Sequence, residues 1–202
     1  MNILGTIWFK PREAMREVIN GRSFLLPLLI LFLGSIGFTL MNIFNTGEDL
    51  EGISLLVPTL IAAPIIYFVT ALFFALALTL LGKWLFKGIG TFKDLIKVVS
   101  TSYLPFIIAT PVFGIWLIFS TDSFLHANQI GIMGLIVMFC FSTFISIYSF
   151  IFNLVGVSEA HQISKWKAFF TMLIPGIIMF VLLVIFIIFI GVIFIFLLGA
   201  SS

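Results

Sequence analysis

Five apolar runs, at 24–44, 57–82, 104–120, 130–155 and 176–199, leave this chain few folds to choose from. As a helix the first run is about 30 Å long, enough to cross the hydrocarbon core of a bilayer. In lipid the backbone groups of a spanning segment must be satisfied within the segment. Each run therefore reads as a helix, even the last, whose many Ile and Val residues would favour strand in water. Only 9% of the 202 residues are charged and 62% are apolar, whereas soluble domains are about a quarter charged. So few charges cannot cover a soluble fold of this composition. The expected architecture is all-α: a polytopic membrane protein with five transmembrane helices. Residues 1–23 form an interfacial segment and 24–202 a single five-span domain. The first ten residues lack the basic-then-apolar order of a cleavable signal, so 24–44 reads as a retained span.

The basic residues orient these spans. Residues 1–23 carry Lys10, Arg12, Arg16 and Arg22; residues 82–103 carry Lys83, Lys87, Lys93 and Lys97; residues 156–175 carry Lys165 and Lys167. The stretches between them, and the tail, carry none. With five spans all ten Lys and Arg fall on one side, which the positive-inside rule makes cytoplasmic. The N-terminus is then inside and the C-terminus outside. The net charge of +2 is scattered beside apolar runs, with no separate basic domain of the kind that binds nucleic acid.

Two polar stretches have helical patterns of their own. Pro11 suits a first helical position, Glu13 and Glu17 follow near the positive end of the dipole, and Asn20-Gly21 suits a stop. This predicts a short amphipathic helix at about 11–20, anchored at the membrane surface by Trp8 and Phe9. In the central stretch Gly88 and Gly90 break the preceding helix, and Thr91-Phe92-Lys93-Asp94 matches a capping box. Phe92, Leu95, Ile96, Val99 and Tyr103 then form an apolar stripe opposite Lys93, Asp94, Lys97, Ser100 and Thr101. That pattern predicts a second interfacial helix at about 91–103, with Lys87, Lys93 and Lys97 reaching lipid head groups.

Inside the spans, small and polar residues mark helix contacts. Ser35, Thr39 and Asn42 share a face beside Gly34 and Gly37, and Ala71 and Ala75 make a small-xxx-small pair. Pro58 and Pro64 should kink the second span or delay its start. Ser142, Ser146, Ser149 and Asn153 recur at i, i+4, i+7 and i+11, the longest polar stripe in any span. It reads either as a path for a polar ligand in a small oligomeric channel or permease, or as interhelical hydrogen bonding, for which serine and asparagine commonly serve. Cys140, the single cysteine, reads as a buried thiol and excludes an internal disulfide. The acidic loop with Glu48, Asp49 and Glu51 lacks the alternating ligands of a calcium loop and reads as solvated.

Catalytic and cofactor signals are missing. No ionisable residue lies within a span as drawn, which disfavours an ion-coupled carrier. There is no metal-protease motif, phosphate loop or nucleophile elbow, and no cofactor is expected. His126 and His161 fall on opposite sides of the membrane. Glu159 and His161, two apart, do not share a helix face and read as solvated or boundary residues.

Three short stretches carry a family likeness. They are Ile7-Trp8-Phe9-Lys10-Pro11, then Thr91-Phe92-Lys93-Asp94 with Tyr103-Leu104-Pro105, then Glu159-Ala160-His161-Gln162-Ile163-Ser164-Lys165-Trp166-Lys167-Ala168. In their order and the five-span layout, the chain resembles the Yip family of membrane proteins, named for interaction with Ypt/Rab GTPases. The resemblance implies closely packed spans, a cytoplasmic N-terminus and a non-enzymatic role. It looks like the bacterial branch, some of whose members accompany ABC-type export systems, and so implies the bacterial cytoplasmic membrane. The expected function is a membrane scaffold or accessory subunit that binds lipids or other integral membrane proteins, an ABC transporter among them, or copies of itself. Candidate contact residues are Phe92, Lys93, Asp94, Lys97, Tyr103, Pro105, Glu159, His161, Lys165 and Lys167.

Overall fold

The computed structural model describes residues 8–46, 53–119 and 129–199, and all regular structure among them is helical. In order these are α1 (Pro11–Asn20), α2 (Leu25–Thr46), α3 (Ile53–Phe86), α4 (Phe92–Thr101), α5 (Leu104–Phe119), α6 (Gln129–His161) and α7 (Lys165–Gly199). Glu48, Asp49, Glu51, His126 and Ile7 lie outside the described residues.

Among the described residues, four segments are long and apolar enough to cross a membrane: Leu25–Asn45, Leu56–Phe86, Phe92–Trp116 and Ile132–His161. The chain is thus all-helical with several apolar helices, as its composition requires. The expected run at 176–199 falls inside α7, where Ile177, Phe180, Ile185 and Phe189 are exposed. The helices overrun the expected boundaries. α6 continues from 155 to His161, and α7 begins at Lys165 rather than at 176. Gly156, the first residue past the expected span, is interior to α6; a Cβ there would collide with Val98, so the glycine lets α4 dock against α6. Pro58 and Pro64 lie inside α3, Pro111 inside α5 and Pro175 inside α7 without ending these helices.

Packing follows the small residues. α2 lies along α5, its most extensive neighbour. A Cβ at Gly34 would strike the Tyr103 backbone and one at Gly37 the Phe106 carbonyl, so these glycines set the close approach. Ala71 and Ala75 of α3 are buried with Leu78, Leu95, Val98 and Val157. Aromatic rings fill the seam between α2, α3 and α5, where Phe38 meets Tyr67, Tyr103 and Phe106 edge-on at 4.8–6.0 Å, a geometry that adds to simple burial.

Both short helices form where expected, but neither lies freely on a surface. Thr91 and Asp94 complete the capping box: the Asp94 N–H donates to Thr91 Oγ1 at 3.3 Å and the Thr91 N–H to Asp94 Oδ2 at 3.0 Å. The rest of α4 corrects the expectation of a lipid-surface helix. Leu95 to Ser102 are all buried, polar face included, because α1, α2, α3 and α6 surround it. Lys97 is therefore no lipid contact. Trp8, expected as a membrane anchor, instead stacks on Tyr148 of α6 with ring centroids 5.1 Å apart, while Phe9 is 90% exposed. Cys140, expected buried, is exposed, because this part of α6 faces outward with Phe139 and Ile136.

The starts of α2, α5 and α7 and the ends of α3 and α6 converge with α1 and α4 at one end of the bundle. All ten Lys and Arg lie on the segments that meet there.

Candidate functional site

At this basic end helix α1 is fastened at three points. Near its start the Tyr148 hydroxyl donates to the Trp8 carbonyl at 2.6 Å, under the stacked rings. At its middle Arg12 and Arg16, one turn apart, both grip Glu159 of α6. Arg12 Nε donates to Oε1, and Arg16 donates to Oε2 from Nη2 at 2.9 Å and from Nε at 3.2 Å. At its end the Lys97 ammonium of α4 donates to the Ile19 carbonyl at 2.9 Å and to the Gly21 carbonyl. Lys97 also sits 4.9 Å from the centre of the Phe24 ring. A cation at a helix C-terminus satisfies carbonyls left free by the last turn and complements the dipole. The buried underside of α1 is Ala14, Met15 and Val18.

The ion pair is asymmetric. The Glu159 side chain is 9% exposed, but those of Arg12 and Arg16 are 68% and 61% exposed. The carboxylate is sunk into the protein and depends on the guanidiniums, while the guanidiniums keep unspent donors facing outward. Forked guanidinium–carboxylate bonds are among the stronger hydrogen bonds available.

Two residues along the chain, His161 ends α6 and is 1% exposed. Gly82 and the Gly88–Gly90 stretch wrap its ring so closely that a Cβ at any of Gly82, Gly88 or Gly90 would collide with the imidazole. The Gly90 N–H donates to Nδ1 at 3.2 Å, and Nε2 lies 3.1 Å from the Leu78 carbonyl. That pairing assigns the neutral Nε2–H tautomer, with Nδ1 accepting and Nε2 donating. The Ile89 N–H donates to the His161 carbonyl at 3.2 Å. His161 thus joins the end of α3, the following loop and the end of α6. Lys87 and Gln162, which flank this junction, have φ of 53° and 54°, the left-handed conformation that closes helices and favours glycine.

Between these two fixtures lies a polar recess of about 550 Å³ lined by Arg12, Arg16, Asn20, Asp94, Glu159 and Gln162, among others. A smaller hollow of about 230 Å³ shares Arg12, Ser158 and Glu159 and adds Ser164 and Lys165. The arrangement is built to hold. Glu159 is saturated by guanidinium donors and both His161 nitrogens are committed to backbone, so neither is a free acid or base.

The candidate residues divide accordingly. Glu159, His161, Asp94 and Lys97 converge on this end as packed, bonded parts, with Pro105 buried and Tyr103 half-buried beneath them. Lys93, Lys165 and Lys167 are exposed around it, and Phe92 is 37% exposed. Glu159 and His161, expected as solvated or boundary residues, are both drawn into the protein: His161 is buried and Glu159 is partly buried, on different contacts. Sequence reasoning missed Arg12 and Arg16 as the partners of Glu159; the one available signal was the i, i+4 spacing of the two arginines.

The residues of the serine and asparagine stripe have different surroundings. Ser142 donates to the Phe139 carbonyl at 2.9 Å and approaches Asn45 of α2 at 3.4 Å, and Ser149 donates to the Ser102 carbonyl at 2.6 Å. Ser146 is exposed, and the buried Asn153 Oδ1 finds no hydrogen-bonding partner among the described residues. Two of the four residues serve as contacts between helices.

A family model described as the Yip1 domain matches residues 5–186. No curated protein and no solved structure matches the chain.

Proposed function

The chain belongs to the Yip1 domain family and is a multi-pass membrane protein, and on that premise we propose that it serves as a non-enzymatic membrane scaffold or accessory subunit. Its basic end, cytoplasmic by the positive-inside rule, is the binding face. Five passes, with α7 as the last, put the N-terminus inside and the C-terminus outside. The proposed partners are lipids and other integral membrane proteins in a bacterial cytoplasmic membrane. An ABC-type export complex is the first candidate, and self-association is the next.

One observation supports this reading above the rest: α1 is clasped onto α4 and α6 by Glu159, Lys97 and Tyr148. A short helix fixed in this way presents a preorganised surface, which lowers the ordering cost of binding. Lys93, Lys165, Lys167 and Trp166 stand exposed around it.

The test places a photo-crosslinking residue at Trp166 in native membranes, with and without Lys93→Glu, Lys165→Glu and Lys167→Glu together. Discrete protein or lipid adducts that vanish in the charge-reversed chain are expected. Adducts unchanged by charge reversal, or none above those from exposed Phe139 in the apolar body, contradict the proposal.

A further inference from the structure

We propose that the recess beside α1 binds a phosphate ester, with the outward edges of Arg12 and Arg16 as its clamp. The inference rests on the binding role given to the basic end and adds the ligand's chemistry.

Both guanidiniums keep spare donors. Arg12 commits only Nε to Glu159, and Arg16 commits Nε and one terminal nitrogen. A guanidinium has five N–H donors, so most remain unspent on side chains that are 68% and 61% exposed. Glu159 also fixes the direction of both guanidiniums, so little rotamer freedom is left to lose on binding.

Charge points the same way. Arg12, Arg16 and, in the adjoining hollow, Lys165 face the carboxylates of Glu159 and Asp94. Within the recess the two arginines balance the two carboxylates, and Lys165 of the adjoining hollow adds one positive charge. Glu159 is spent on the arginines, and Asp94 Oδ2 on the Thr91 N–H and hydroxyl. Two forks one helical turn apart suit the several oxygens of a tetrahedral phosphate better than one planar carboxylate. The main recess, about 550 Å³, is the size of a small-ligand pocket, roughly 300–1,000 Å³. It has room for a phosphate together with an esterified polar group. Such a group comes either from a lipid head group or from a soluble phosphate.

The test uses the purified full chain in neutral detergent, titrated calorimetrically with short-chain phosphatidylglycerol, phosphate-free diacylglycerol, inorganic phosphate and an oligoglutamate peptide. Saturable one-site binding of phosphatidylglycerol is expected. It should weaken about tenfold in Arg12→Lys/Arg16→Lys, which keeps charge but loses the fork. It should weaken as much in Asn20→Trp, which fills the recess and leaves the clasp intact, and should not change in Arg22→Gln. Competition by inorganic phosphate assigns a soluble source; its failure to compete assigns a lipid head group. Equal affinity for diacylglycerol, tighter binding of oligoglutamate, or wild-type affinity in Asn20→Trp overturns the proposal. If the double lysine chain does not fold, Asn20→Trp alone decides. Loss of phosphate binding leaves the scaffold reading standing when the crosslinked partners persist, and phosphate binding without such partners does the reverse.

Discussion

The basic end and the apolar body of this protein treat most of their polar side chains differently. In the body, most hydroxyls fold back on their own helix, although Ser142 also approaches Asn45 of α2. Thr39 donates to the Ser35 carbonyl, Thr70 to Ile66, Thr79 to Ala75 and Thr171 to Lys167, each one turn back. Such bonds satisfy a donor in an apolar medium without tying helices together. At the basic end the bonds cross between elements: Glu159 to Arg12 and Arg16, Lys97 to Ile19, Ser149 to Ser102 and His161 to Leu78. The body is held by close approach of small residues and aromatic packing, and the basic end by polar connections. Substitutions should therefore act differently in the two regions.

The largest effect expected is at the clasp. Arg12→Ala with Arg16→Ala strands the sunken Glu159 carboxylate, a loss of about 3 kcal/mol in mixed-micelle denaturation. Glu159→Gln leaves two exposed arginines and should cost less, about 1–2 kcal/mol. Equal costs for the two would remove the asymmetry assigned to the pair.

Next comes the His161 junction. Gly82→Ala drives a methyl into the imidazole and should cost about 2 kcal/mol. Adding His161→Ala should recover part of that loss, because the two changes share one space. Strict additivity of the two would show that the glycines do not shape this cage.

A smaller contrast compares the two kinds of hydroxyl. Ser149→Ala, which breaks a bond between elements, should cost about 0.6–1 kcal/mol, and Thr79→Val, which removes a bond within one helix, less than about 0.5 kcal/mol. The reverse order would break the comparison. The smallest change is at Gln162, where the positive φ makes Gln162→Gly neutral or stabilising by less than about 1 kcal/mol.

Local rules were legible in the sequence. Pro11, the Thr91/Asp94 capping box, the Ala71/Ala75 contact and the small residues of α2 were readable because each acts within one helix turn or one helix face. The segregation of Lys and Arg onto a few segments was equally plain. What stayed hidden depends on distant chain. Glu159 and Arg12 are 147 residues apart, and nothing beside Glu159 names its partner. Lys97 looked lipid-facing because periodicity separates polar from apolar faces but does not say what covers the polar one; here it is the end of α1. The fourth span overran its expected end at 155 because its apolar run gives way to polar residues while the helix continues to His161. His161 read as a solvated or boundary residue because its cage comes from glycines more than 70 positions away, which add no pattern to its own helix.

The central claim is that α1 belongs to a fixed assembly at the basic end. Hydrogen–deuterium exchange of the purified chain in detergent micelles tests it most directly. The account predicts slow exchange for the amides of Met15 to Asn20, comparable to those of α4, in the wild-type chain. In Glu159→Gln, exchange in α1 should become faster while α4 keeps its protection. Rapid exchange throughout α1 in the wild-type chain, or protection unchanged by Glu159→Gln, would contradict it.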